Sequence, residues 1–189
     1  YDNEAYTSWF PSGLGYLASA LLKAGHCVEI YQQDINHYTM SHLTDKLNNA
    51  VITYDIVAVG MCAGYFQYAK LIEISKAISN SYQKPYYIVG GHMVSPEPEY
   101  FLKKTQADAV IIGEGEETIV ELVNAVMNKE QLVNKETINI INIKGIAYRI
   151  TNEIFINERR PLISNINTIS IPAYHLFDIK SYRLLRMPN

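Results

Sequence analysis

The spacing of the glycines is the feature of this chain that points to a ligand-binding function. Gly13, Gly15 and Ala18 follow the G-x-G-x-x-A pattern of dinucleotide-binding turns. Asp34 follows about 20 residues later, where an acidic residue would contact a ribose hydroxyl. Such a turn must follow a buried strand, whereas residues 1–12 are polar and aromatic and include a proline. An NAD(P)-binding oxidoreductase domain is therefore an alternative that a buried strand before Gly13 would support.

A second glycine-rich turn lies at residues 113–118, with the sequence GEGEET. Its glycine content is that of a phosphate-binding loop. Its carboxylates suit the positive end of a helix dipole, but they would repel a phosphate. The chain also has no Gly-Lys-Ser/Thr sequence. These features disfavour a nucleoside triphosphatase.

Histidines and cysteines are not grouped as a catalytic or metal site would require. His92 directly follows the pair Gly90-Gly91 and is the histidine expected near a ligand. Cys27 and Cys62 are far apart in apolar segments, which indicates neither a disulfide framework nor a zinc site and fits a reducing cytoplasm. We predict no catalytic residue and no metal ligand.

Alternating strand and helix patterns place these glycines at one edge of a sheet. Strands are predicted over 27–31, 56–60, 86–89 and 109–112, and helices over 16–24, 41–50, 66–78 and 116–127, with a short helix starting at 96–99. The apolar run 56–60 is typical of a strand buried on both faces. Strict alternation predicts a doubly wound, flavodoxin-like (Rossmann-like) α/β fold with a parallel sheet. Ligands of such sheets bind beyond the carboxyl ends of the strands, where Gly60, Gly90 and Gly113 fall.

The pattern changes after about residue 130. Segments 144–149 and 154–157 flank a turn of hairpin length, which predicts a β-hairpin. The segment around 171–178 carries prolines and aromatic residues that we expect to be exposed, as in a connector. The expected parts are an α/β domain at 1–130, a hairpin extension at 131–160 and a connector at 161–189.

The composition excludes several classes of function. Hydrophobic residues make up 48% of the 189 residues and charged residues 19%, which is enough apolar material for a core. Lys and Arg number 16 against 19 Asp and Glu, so no basic surplus exists for a nucleic-acid partner. No apolar run has the length of a membrane span and no signal peptide opens the chain. We therefore expect a cytoplasmic protein without a membrane partner.

The motifs also follow one another in the order of a known family. Over nearly its whole length the chain resembles the N-terminal cobalamin-binding domain of cobalamin-dependent radical SAM enzymes. The segments that carry the resemblance are PSGLGYLASALLKAGHCVEI, YDIVAVGMCAGYF, YYIVGGHMVSPEPEYF, ADAVIIGEGEET, IKGIAYRI and RRPLISNINTISIPAYHLFDI. The resemblance implies cobalamin as the cofactor of this chain. It also implies a radical SAM catalytic domain as partner in the same parent chain, where a C-x-x-x-C-x-x-C motif absent here would hold a [4Fe-4S] cluster beside S-adenosylmethionine.

The resemblance further implies a cofactor site built of glycines and loop backbone, with the corrin over the strand ends. The residues it places there are Phe10, Pro11, Ser12, Gly13, Leu14, Gly15, Gly60, Met61, Cys62, Gly90, Gly91, His92, Gly113, Glu114, Gly115 and Glu116. In related methionine synthases and mutases the turn before the first helix reads D-x-H-x-x-G. Aligning that glycine with Gly15 puts Phe10 and Ser12 at the Asp and His positions. The resemblance therefore implies a base-off corrin without a protein histidine on cobalt.

For the parent enzyme, the resemblance implies methyl transfer to an unreactive carbon or phosphorus, or a ring-forming oxidation. The family's first strand would lie before Tyr1 and its cluster cysteines beyond Asn189, so we expect this chain to be a non-catalytic piece of a longer protein. A third reading is a cofactor-free, flavodoxin-like module that binds a partner, in which the glycines are only turns.

Overall fold

Between residues 40 and 127 helices and strands alternate along the chain, as the hydrophobic periodicity predicts. A computed structural model describes residues 10–60, 65–128 and 140–182; Met61 and Cys62 lie outside them. The helices of this part are α1 (Ser12–Lys23), α2 (Gln33–Asn36), α3 (Met40–Leu47), α4 (Tyr65–Ser79), α5 (Pro98–Thr105) and α6 (Glu116–Met127). Its strands are β1 (Ile56–Gly60), β2 (Tyr86–Gly90), β3 (Ala109–Ile111), β4 (Ile146–Ile150) and β5 (Glu153–Ile156).

The five strands form one sheet in the order β1-β2-β3-β4-β5. The pairs β1–β2 and β2–β3 are parallel, whereas β3–β4 and β4–β5 are antiparallel. Gly60 pairs with Gly90 at the last step of the β1–β2 ladder, so both strands end at the same edge. The α/β class with parallel strand pairs is confirmed. The predicted hairpin, β4–β5, belongs to the same sheet because β4 pairs with β3.

Successive residues of the central strands point to opposite faces, and each face has its own apolar core. Tyr87 and Val89 belong to a cluster with residues of α3, α4 and α5. Ile88 belongs to the other cluster, with residues of α6, β4 and the loop before β4, and Leu17 of α1 packs against it. Covering both faces with helices is what makes the sheet doubly wound.

Helix α1 ends at a left-handed glycine. Gly25 has φ +90°, its N–H donates to the Leu22 carbonyl at 3.0 Å, and the His26 N–H donates to the Leu21 carbonyl at 3.1 Å. These two bonds form a Schellman motif, which satisfies carbonyls that a helix end leaves unpaired. The helix predicted over 16–24 therefore ends within one residue of the predicted position.

The strand predicted at 27–31 does not form. This segment pairs with no strand within the described part of the chain. Glu29 instead makes an ion pair with Lys46 of α3 at 2.6 Å and accepts a hydrogen bond from the Tyr54 hydroxyl at 2.8 Å. Alternating polarity is compatible with a strand. A strand also needs an adjacent strand to hydrogen-bond its backbone N–H and C=O groups.

Burial of β1 on both faces is likewise not observed along its full length. Val57 and Val59 pack against the first core. Ala58 and Gly60 point to the opposite face and are exposed. The apolar run predicts the strand correctly, but Ala58 and Gly60 remain exposed on its second face.

Candidate functional site

Glycine turns gather at the edge where the parallel strands end. Gly60 and Gly90 are the last residues of β1 and β2. Gly91 follows with φ +107°, and Gly113 lies just beyond β3 with φ +80°. Residues with a side chain rarely adopt these angles, so glycine is required at both turns. Ligands of open α/β sheets bind at this edge.

Ser95 connects the loop after β2 to the loop after β3 through hydrogen bonds. Its hydroxyl accepts a hydrogen bond from the Gly113 N–H at 3.0 Å and lies 3.1 Å from the Gly91 carbonyl, to which it donates. The backbone N–H groups of Val94 and Ser95 donate to the same carbonyl, each at 3.0 Å. Sequence reasoning missed Ser95. The signal was a hydroxyl residue four positions after a glycine that ends a strand turn.

Two of the predicted glycines leave open space toward this edge. Among the residues that the structure describes, a Cβ atom added at Gly13 or at Gly113 would meet no atom within 4 Å beyond those of its chain neighbours and its own helix backbone. Ser12, Gly91, His92 and Glu114 are also exposed. The edge therefore offers accessible backbone at the start of α1 and after β3.

Other predicted glycines face protein atoms. A Cβ at Gly60 would lie 3.3 Å from Leu14 Cδ2, and one at Gly115 would lie 3.0 Å from Leu17 Cδ2. At Gly90 the nearest atom is Ile111 Cβ at 3.6 Å. At Gly60 and Gly115 the missing side chain therefore allows helix α1 to pack closely, whereas a Cβ at Gly90 would make only ordinary van der Waals contact.

Gly15 is the most tightly packed of these glycines. A Cβ there would lie 2.9 Å from Pro172 Cβ and 3.6 Å from the Phe10 ring. The Gly15 carbonyl also accepts a hydrogen bond from the Ala173 N–H at 3.0 Å. The segment after the hairpin thus lies directly on the first turn of α1.

Aromatic rings hold the same segment against Phe10. The Phe10 ring centroid is 5.1 Å from Tyr174, 4.8 Å from Phe177 and 5.4 Å from Tyr182. Tyr174 is 47% exposed as the sequence predicts, but Phe177 is only 8% exposed. The expectation of exposed aromatics is therefore wrong for Phe177, because its ring fills the space beside Phe10 and Gly15.

Carboxylates at the start of α6 are engaged by the chain beyond the hairpin. The Arg160 guanidinium lies 3.1 Å from Glu117 and 2.5 Å from Glu121, and its Nε donates to Thr118 Oγ1 at 2.9 Å. A Glu114 oxygen accepts from the Ile163 N–H at 2.6 Å. These contacts tie the connector to α6 and offset the negative charge that the sequence shows at this turn.

Glu116 is different, because one of its carboxylate oxygens has no partner. Its Oε2 atom is buried and accepts no hydrogen bond within the described residues. A buried acceptor without a donor costs about 1–3 kcal/mol. A ligand that brings an N–H group to this corner of the site would remove that cost.

Two of the other histidines, His26 and His42, have hydrogen-bond partners. His26 Nε2 is 2.8 Å from Asn124 Oδ1, and His42 Nδ1 is 2.9 Å from the Tyr31 hydroxyl. No group of three or more His, Cys, Asp or Glu residues within the described ranges could hold a metal ion. No helix in those ranges is long and apolar enough to span a bilayer.

Large pKa shifts fall in the sheet interior and not at the glycine edge. Burial, helped by the nearby Asp108 carboxylate, raises the pKa of Tyr86. Burial also raises the pKa of Tyr87 to about 12, although its hydrogen bond with Ser75 acts in the opposite direction. Both phenols are therefore neutral groups of the core.

Comparison with known proteins gives a relative of similar sequence. A protein of Pyrococcus horikoshii named as an uncharacterized methyltransferase is 28% identical over 179 residues. The match covers 94% of this chain but 36% of the relative. The chain thus spans only a part of the length of that protein.

Solved structures of similar fold include the radical S-adenosylmethionine methyltransferase TsrM from Kitasatospora setae with cobalamin and a [4Fe-4S] cluster bound. Its TM-score is 0.65 at 15% identity, over 89% of this chain and 30% of TsrM. The cobalamin-dependent S-adenosylmethionine radical enzyme OxsB, with aqua-cobalamin and S-adenosylmethionine bound, gives a TM-score of 0.59 at 21% identity. That match covers 81% of this chain and 20% of OxsB.

The family is settled by a match over most of the chain. The model of the B12 binding domain family matches residues 2–123, from before α1 to the middle of α6. This range includes every glycine turn of the strand-end edge. The chain therefore belongs to the B12-binding domain family, and it is a cobalamin-binding domain of α/β fold.

Proposed function

We propose that this domain holds base-off cobalamin at the strand-end edge and presents it to a radical SAM domain of the same parent protein. The observation that carries the proposal is the open backbone at Gly13 and Gly113, where an added Cβ would meet no described residue within 4 Å apart from chain neighbours and the backbone of its own helix. A wide planar ring needs side-chain-free backbone on which to lie. Exposed Ser12, Gly91 and His92 complete the proposed contact edge.

The chemistry of this edge fits the cofactor. The corrin periphery carries amide groups, each with N–H donors and a carbonyl acceptor. Glu116 Oε2 is a buried acceptor that lacks a donor within the described residues. We assign this oxygen to a corrin amide N–H, and the exposed backbone at Gly13 and Gly113 to the ring. When bound, cobalamin supplies the cobalt chemistry of methyl transfer.

The base-off form rests on the residues before Gly15. Ser12 occupies the position where D-x-H-x-x-G proteins carry the cobalt-binding histidine, and Phe10 replaces the aspartate. The Phe10 ring packs against Phe177 at 4.8 Å, so it belongs to an apolar cluster. This turn therefore offers a hydroxyl and apolar carbon, but no imidazole, to the lower face of the corrin.

A larger catalytic partner is proposed from the extent of the matches. The chain covers 30% of TsrM and 20% of OxsB, and both of those proteins are radical SAM enzymes. We assign the [4Fe-4S] cluster and S-adenosylmethionine to a separate domain of the parent protein. The parent reaction would be methyl transfer to an unreactive carbon or phosphorus, or a related radical reaction. The described residues would bind and orient the cofactor without acting as acid or base.

The test is a titration of the purified chain with hydroxocobalamin and, separately, with NADH, followed by visible absorbance. We expect the cobalamin spectrum to change and NADH to give no response. After reduction to cob(II)alamin, the electron paramagnetic resonance spectrum should lack nitrogen splitting of the cobalt lines. A response to NADH alone would favour the NAD(P) alternative, and no response to either would favour a cofactor-free module.

His92→Ala is the matched control for the axial ligand. His92 is the exposed imidazole at the glycine edge, so it is the residue that could contradict the base-off form. We expect the variant to give the same cobalt spectrum as the parent sequence. Nitrogen splitting that is present in the parent sequence and absent from the variant would show that His92 binds cobalt.

A further inference from the structure

The turn that leads into α1 is shared by two surfaces. On one side Ser12 and Gly13 are exposed at the strand-end edge. On the other side Gly15 is buried beneath Pro172, and the Ala173 N–H donates to its carbonyl. A shift of the turn at Ser12 and Gly13 would therefore also move Gly15 relative to Pro172.

The connector binds this turn through several kinds of contact. Phe10 lies among Tyr174, Phe177 and Tyr182, with ring centroids 4.8–5.4 Å apart. Gln32 adds polar contacts, because its Oε1 accepts from the Asp178 N–H at 3.2 Å and from the Tyr182 hydroxyl at 3.1 Å. The segment 172–182, called the docked connector below, is therefore held at two places on the domain.

The same turn also contacts the end of strand β1. Leu14, between Gly13 and Gly15, places its Cδ2 atom 3.3 Å from where a Cβ of Gly60 would be. The turn thus contacts the end of β1 through Leu14 and the docked connector through Gly15. Its exposed face is open among the described residues, since a Cβ at Gly13 would meet none of them within 4 Å apart from its chain neighbours and its own helix backbone.

From these contacts we infer that the docked connector positions the residue 10–15 turn for the cofactor, so that cobalamin binding and connector docking strengthen each other. This inference rests on the proposed cobalamin site. Phe177, Pro172 and Gln32 are then positioning residues that act through the turn. Coupling between two binding events is reciprocal, so cobalamin must stabilise docking by the same factor by which docking raises its affinity. The consequence is that a loaded domain holds the docked connector more firmly against the turn than the empty domain does.

The first test compares Phe177→Ala with Phe155→Ala. Phe155 stacks on Tyr148 with centroids 5.5 Å apart on β5, the edge strand opposite β1, and touches neither the turn nor the connector. Hydroxocobalamin affinity is measured at a temperature where circular dichroism shows both variants folded. We expect Phe177→Ala to weaken binding about tenfold, within the range typical of coupled sites. Phe155→Ala should leave it unchanged.

The second test needs no variant. Hydrogen exchange of the peptide that contains Ala173 is measured by mass spectrometry with and without hydroxocobalamin. We expect the cofactor to slow this exchange, because the Ala173 N–H is bonded to the Gly15 carbonyl. The slowing must exceed that of peptides in β4, because a ligand that stabilises the folded state slows exchange throughout the protein. Gln32→Ala gives a milder loss of docking if Phe177→Ala does not fold, and we expect it also to weaken binding.

The outcomes separate this inference from the proposed function. If the parent sequence binds cobalamin but its affinity is unchanged by Phe177→Ala or Gln32→Ala, and exchange at Ala173 is unaffected by the cofactor, the coupling is overturned and the cobalamin site stands. If the parent sequence binds no hydroxocobalamin, both are overturned. Weaker binding in the variants together with slower exchange supports both.

Discussion

Replacing Gly13 with alanine should raise stability and weaken cofactor binding at the same time. Gly13 is the second residue of α1 and has a helical conformation. An alanine methyl there would contact no atom within 4 Å, so it adds no strain. Alanine is favoured over glycine in a helix by about 1 kcal/mol in the interior, and we take about 0.5 kcal/mol at this first turn.

The effect on binding has the opposite sign because the methyl projects toward the proposed corrin position. A ring that lies on the backbone of Gly13 would have to move away from the added carbon. We expect about a tenfold loss of hydroxocobalamin affinity, which corresponds to about 1.4 kcal/mol. A general loss of structure cannot give this result, since the free protein would become more stable.

Gly25→Ala is the matched control at the other end of the same helix. Gly25 also has open space around it, but its φ of +90° is strained for alanine. We expect a loss of about 1–2 kcal/mol in the free energy of unfolding and no change in affinity. Urea unfolding measures the stabilities, and visible absorbance titration measures the affinities.

Two results would refute the reasoning about Gly13. An unchanged affinity in a stabilised Gly13→Ala variant would mean that cobalamin does not approach this residue. A destabilised variant would mean that the space beside Gly13 is filled in solution. In a chain of this size 0.5 kcal/mol corresponds to about 1–2 °C in Tm, so urea midpoints are the better measure.

Three other substitutions test parts of the fold. Ser95→Ala should cost about 1 kcal/mol in urea unfolding and weaken cobalamin binding, because the Gly113 N–H loses its acceptor; unchanged values for both would contradict the role of this hydroxyl. Tyr87→Phe should cost about 1 kcal/mol without altering affinity, because the buried bond to Ser75 is lost, and an equally stable variant would count against that bond. Burial would raise the pKa of Glu29, but hydrogen bonds from its lysine and tyrosine partners lower it below the ordinary 4.5. The contribution of Glu29 to the free energy of unfolding is therefore present at neutral pH and is lost as the pH falls through its lowered pKa. Glu29→Gln should cost less than about 1 kcal/mol at pH 7 and nothing in acid, and a cost that persists in acid would contradict this assignment.

Local patterns were sufficient for most helices and for the sheet. Helix α6 occupies Glu116–Met127 as its periodicity predicts, and the hairpin turns between Ile150 and Glu153. The segment at 27–31 has equally good alternation but forms no ladder within the described residues. Alternation of polar and apolar residues predicts which face of a strand would be buried. Whether the strand forms depends on another strand lying beside it.

The candidate site was harder to predict, because glycines serve two purposes that look alike in sequence. Gly13 and Gly113 leave open space, whereas Gly15 and Gly60 make room for Pro172 and Leu14. Only the positions of distant residues distinguish the two. The contact of Phe177 with Phe10 joins residues from opposite ends of the chain, and no local periodicity encodes such a contact.

The antiparallel strand β4 has a consequence for how this protein can be divided. Ile146, Ala147 and Tyr148 are 0%, 0% and 2% exposed, and they pair with the whole of β3. Burying a large apolar side chain contributes about 1.5–3 kcal/mol. A version cut at residue 130 would bare that surface and leave β3 as an open edge, which invites pairing with other chains. For expression or fusion, a unit that keeps the sheet intact therefore extends at least through β5, and one meant to bind cobalamin also keeps the docked connector.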